Sequence, residues 1–106
     1  MRILLDQGVP VPLRKHLIPH AVRTAYEQGW STLKNGDLLE VAEREGFDVL
    51  LTTDQNLKYQ QKLTGRRITI VVLSTTSWPR IEKSVSNVVS ALSEVAMGGF
   101  VEVAIP

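Results

Sequence analysis

The chain has 106 residues, enough for one domain with a core that needs no covalent staples and too few for two. Its 12 lysines and arginines against 11 aspartates and glutamates leave a net charge of +1, which names no partner by itself. It has no cysteine, which removes disulfides, thiolate zinc sites and thiol catalysis. A cytoplasmic protein without a membrane anchor is expected. Asp6 interrupts the only early apolar run, so no secretion signal is visible, and no apolar stretch nears the ~20 residues of a membrane helix.

In chain order, Arg2–Leu5 reads as a short buried strand bounded by Asp6 and Gly8. Pro10 and Pro12 suit the first turn of a helix that carries Leu13 and Leu17 on one face and is closed by Pro19. "AVRTAYE", Ala21 to Glu27, alternates and reads as a second strand, at a sheet edge. The loop "GWSTLKNG" leads to a helix with Asn35 as N-cap, running to Glu45, with Gly46 as its capping glycine and Leu38, Leu39, Val41 and Ala42 as its apolar stripe. "FDVLLTT" is a third strand, after which Asp54 caps a third helix. "RITIVVLS", Arg67 to Ser74, is the most β-branched segment and belongs near the centre of the sheet. A helix from Pro79 to Ala96 carries Ile81, Val85, Val88, Val89, Leu92 and Val95 on one face; Gly98 and Gly99 stop it, and "FVEVAI" is a last strand. The alternation βαβαβαβαβ predicts a single three-layer α/β domain over residues 1–106. Its sheet is mostly parallel, five-stranded and of order 2-1-3-4-5, with helices on both faces.

Two apolar runs each deliver a carboxylate: "RILLDQG" gives Asp6 and "LLTTDQN" gives Asp54. Parallel strands end on one rim, so adjacent first and third strands would bring Asp6 and Asp54 together at the switch point, where ligands of open α/β sheets bind. Two close carboxylates repel unless one is protonated or a cation lies between them. All-oxygen ligation selects a hard ion, Mg²⁺ or Mn²⁺, which can activate water against a phosphodiester. Asp37, in the first turn of the second helix, is a third candidate ligand, with Glu40 one turn on. Lys34, Asn35, Asn56 and Gln60 are candidate substrate contacts. Lys58, Lys62, Arg66 and Arg67 form a basic run suited to a phosphate backbone and equally to a solvated helix face. Simpler accounts stand beside these: Asp54 as a plain N-cap and Asp37 as a complement to the helix dipole. Asp48 reads as a turn residue on the opposite rim. Glu43, Glu45, Glu82 and Glu94 read as solvent-facing, and His16 and His20 as surface residues without a metal. Trp30 is the better of the two tryptophans to touch a partner.

"MRILLDQGVPVPLRKHL" and "GWSTLKNGDLLEVAEREGFDVLLTTDQNL", in this βα order, resemble the small PIN-like domains, a compact branch of the PIN ribonuclease superfamily. The resemblance covers Met1 to about Leu73. It implies a metal-dependent endoribonuclease with catalytic and metal-binding acids at Asp6, Asp37 and Asp54. It also implies RNA as substrate, an antitoxin protein as partner in a toxin–antitoxin pair, and a homodimer. The chain departs from the pattern in two places. Gln7 stands where the small branch commonly has Glu, and a fourth acid has no equivalent, Asn56 being the nearest substitute. Fewer anionic ligands weaken Mg²⁺ binding. The alternative is therefore a catalytically degenerate PIN-like module that binds RNA or protein. A receiver-type phosphoacceptor domain is a further alternative, with Asp54 as acceptor and Ser74 or Thr75 as the hydroxyl, but "FVEVAIP" lacks the lysine that such a domain needs.

Overall fold

The strands form where four or five apolar or β-branched residues run together, and each faces both ways. The computed structural model describes residues 1–57 and 65–106, and in it β1 (Arg2–Leu5), β2 (Ala21–Thr24), β3 (Val49–Thr52), β4 (Thr69–Leu73) and β5 (Phe100–Val103) form one sheet of order β2-β1-β3-β4-β5. All four pairings are parallel. The expected order is thus observed, and the expected mostly parallel sheet is wholly parallel.

Alternate residues of each inner strand feed two separate cores, as the strand's twofold period requires. Ile3, Leu5, Val49, Leu51, Val71 and Leu73 pack on one face, under a 3₁₀ helix (Val11–Leu17) and the later helices. Leu4, Leu50, Ile70 and Val72 pack on the other, against Leu38, Leu39 and Ala42 of helix α1 (Asn35–Arg44). Every residue of β3 and β4 is buried, which explains their continuous apolar runs. β2 and β5 are the edges and keep exposed positions. Among the described residues, no helix is long and apolar enough to cross a membrane.

Several local expectations shift. The first helix is a 3₁₀ segment, with Leu13 and Leu17 buried as expected. β2 stops at Thr24, because "TAYE" closes on itself. The Thr24 N–H donates to Glu27 Oε1 at 2.9 Å and the Glu27 N–H donates to Thr24 Oγ1 at 3.0 Å, a reciprocal capping box that turns the chain. α1 begins one residue earlier than expected. Lys34, not Asn35, is its N-cap, since the Lys34 carbonyl accepts the first helical bond, from Leu38 N–H at 2.8 Å. Gly46 adopts φ +85°, the left-handed turn that a glycine allows behind a helix. The last long helix is two: α2 (Trp78–Lys83) and α3 (Val85–Ser93), broken at Ser84. Ile81, Val88 and Leu92 are buried, but Val89 is 42% exposed. The helix expected after Asp54 falls largely outside the described residues.

Candidate functional site

The parallel register sets the site. Leu5 pairs with Leu51, and the Asp6 N–H continues the ladder by donating to the Leu51 carbonyl at 2.9 Å. Asp6 therefore leaves β1 beside Thr52, whose side chain is fully buried. The Thr52 hydroxyl donates to Asp6 Oδ2 at 2.8 Å and accepts the Asp54 N–H at 3.1 Å. One hydroxyl, with one proton to give and lone pairs to receive, thus ties the two acidic turns to each other. Asp6 Oδ1 accepts the Gln7 N–H at 2.8 Å. Asp54 Oδ1 accepts the Asn56 N–H at 2.9 Å, the bond an aspartate makes when it opens a turn or helix. Both carboxylates are half-buried. Each carboxylate thus has a hydrogen-bond donor that favours its charged form.

The loops around them are tightly fitted. A Cβ placed on Gly8 would stand 2.2 Å from Thr53 Oγ1, so "DQG" needs its glycine for room. Gln7 Nε2 donates to the Ser31 carbonyl at 2.9 Å and joins the loop after β1 to the loop that delivers α1. Gln55 Nε2 donates to the carbonyls of Thr53 and Leu73, holding the ends of β3 and β4. Ser74 Oγ accepts the Ile105 N–H at 2.7 Å, so this hydroxyl is engaged with the C-terminal segment.

The remaining expected site residues are more dispersed. Asp37 lies in the first turn of α1, exposed, in a depression of about 240 Å³ shared with Leu33, Glu40, Val41 and Arg44. Among the described residues, no three of His, Cys, Asp and Glu come together as a metal-holding group. Lys34 is exposed just before α1. Asn56 is exposed too, and meets Asp54 through its backbone. Lys58 and Gln60 lie outside the described residues, as does the side chain of Asn35. Arg66 and Arg67 do not join Asp54. They precede β4, on the opposite rim, where the Arg67 N–H donates to Glu43 Oε2 at 3.1 Å. The same bond gives Glu43 a partner, where a solvent-facing residue was expected. Trp30 is half-buried against Phe47, ring edge to face at 5.9 Å.

Sequence reasoning missed Thr52, Gly8 and the Arg14–Glu27 pair. Arg14 donates two bonds to Glu27, at 2.8 and 3.1 Å. The backbone N–H of Thr24, followed by Arg14, holds the Glu27 carboxyl below its ordinary value of 4.5. The pattern T-x-x-E in "TAYE" was the available signal. Nothing in the sequence marked the pairing of Thr52 with Asp6, which depends on strand register.

No family model matches the chain, and comparison with curated proteins and with solved structures finds no significant match.

Proposed function

We propose that the chain is a metal-dependent ribonuclease of PIN-like type in which Asp6 and Asp54 hold a Mg²⁺ or Mn²⁺ ion. The observation that carries the reading is the hydrogen-bonded run Asp54–Thr52–Asp6 at the C-terminal ends of β1 and β3. Two carboxylates, with water and phosphate oxygens completing the shell, are a usual donor set for Mg²⁺. Thr52 Oγ1–H and the Gln7 N–H fix the Asp6 carboxylate, the kind of outer support that metal-binding carboxylates have. When bound, the ion supplies an activated water and neutralises charge on the phosphate. Asp6 and Asp54 would orient the ion, and Asp37, exposed in its own depression at the start of α1, would reach it only through intervening water. On the same reading an antitoxin protein or a second copy of the chain would be its protein partner.

One observation favours a second reading, an RNA- or protein-binding module without catalysis: no third acid joins the pair among the described residues. Cleavage separates the two. Single-stranded RNA incubated with the protein and Mn²⁺ is expected to be cut, and Asp6→Asn and Asp54→Asn are each expected to slow cutting at least a hundredfold. Equal rates in wild type and both variants would overturn the nuclease reading.

A further inference from the structure

Between the ends of β1 and β2, beside Asp6, a cavity of about 480 Å³ opens. Leu5, Val9 and Ala25 are its buried lining, and Gln7, Tyr26 and the Arg14–Glu27 pair complete it. Its size lies within the range of small-molecule and cofactor sites. Tyr26 is 79% exposed, the one aromatic side chain among the exposed large hydrophobics of the described residues. A ring left in water contributes little to the core and is free to stack. Gln7 uses its Nε2 on Ser31, and its Oε1 has no hydrogen-bond partner among the described residues. A second cavity, of about 800 Å³, shares Val11, Arg14 and Glu27 with the first and adds Lys15, His20 and Arg23 along the outer edge of β2. Lys15 and Arg23 have no acidic partner among the described residues.

The two cavities adjoin at Val11 and the Arg14–Glu27 pair, so a surface groove traced through them begins at a carboxylate, passes an exposed ring and ends among cations. We infer that this groove is the track for single-stranded RNA, an inference that takes its ligand from the ribonuclease reading. Tyr26 stacks one base next to the phosphate at Asp6, the Gln7 carbonyl accepts from an amino group of that base, and Lys15 and Arg23 take the following phosphates. A base must leave its helical stack to meet Tyr26, so duplex RNA is excluded from this contact. The track runs along the β2 edge, away from Arg66 and Arg67 before β4.

Anisotropy of a labelled single-stranded RNA of about a dozen nucleotides, with Ca²⁺ present, tests it. Tyr26→Ala is expected to weaken binding about tenfold, the loss of one base stack, while Tyr26→Phe binds as wild type. Lys15→Gln with Arg23→Gln is expected to lower the slope of log K against log salt by about 1.4, two phosphates' worth for a single strand. Tyr26→Ala leaves that slope, and the affinity for duplex RNA of the same sequence, unchanged. Because Tyr26 is exposed, its variants keep the fold, which unchanged melting temperatures verify. Wild-type affinity in Tyr26→Ala, together with an inactive Asp6→Asn, overturns the groove and leaves the nuclease. Tyr26-dependent binding without cleavage upholds the groove and removes the nuclease. No binding of RNA by the wild type removes both.

Discussion

Thr52 shows how much a single buried hydroxyl organises here. It donates to one acid and accepts from the backbone of the other, so both turns lose a bond if it goes. Thr52→Val keeps the shape and removes the hydroxyl, and is expected to cost about 1–2 kcal/mol in urea unfolding while weakening Mn²⁺ binding at least tenfold. Unchanged stability and unchanged metal affinity would mean that the hydroxyl does not organise the pair. Gly8 acts by absence. Gly8→Ala is expected to cost about 1–3 kcal/mol, because its Cβ meets Thr53 Oγ1. Adding Thr53→Ala is expected to recover most of that loss, and a double variant no better than Gly8→Ala would show that the clash lies elsewhere. Asp6 and Asp54 were legible as strand-end acids. Thr52 and Gly8 were not, since their partners lie across the sheet or in another loop.

At the level of elements, the strands were the most legible part and the helix ends the least. Apolar run length gave β3 and β4, and alternation gave the edge position of β2. The same alternation carried the expected β2 three residues too far, into the Thr24–Glu27 capping box. The apolar period from Ile81 to Leu92 runs through Ser84 without a gap, so the break between α2 and α3 left no mark in the pattern. The capping box also carries a pH signature. The carboxyl of Glu27 titrates lower in the folded protein than in the unfolded chain, mainly through the Thr24 N–H and then Arg14. Its contribution is therefore fully present above the ordinary glutamate range and is lost as pH falls through the folded value. Melting temperatures of wild type and Glu27→Gln are expected to differ at pH 7 and to converge as pH falls from the ordinary glutamate range through the lower folded value. A gap that stays constant over that range would place the stabilisation outside the carboxylate.

For the whole molecule, the parallel order β2-β1-β3-β4-β5 brings two strand-end acids to one rim. The chain leaves β1 toward one edge and β3 toward the other, so the switch point of the sheet lies at the strand ends that carry Asp6 and Asp54. That placement followed from the alternation of elements alone. The place of Arg66 and Arg67 before β4, where the Arg67 N–H donates to Glu43, did not follow. On the proposed reading these two carboxylates share a hard dication, and thermal melting across a Mn²⁺ titration reads that binding. At a hundredfold excess over Kd, binding adds ~2.7 kcal/mol, which for a chain of this length is a rise of about 10 °C or more. That rise is expected in wild type and is lost in both Asp6→Asn and Asp54→Asn. A wild-type melting temperature indifferent to Mn²⁺, or an equal rise in the two variants, would contradict it.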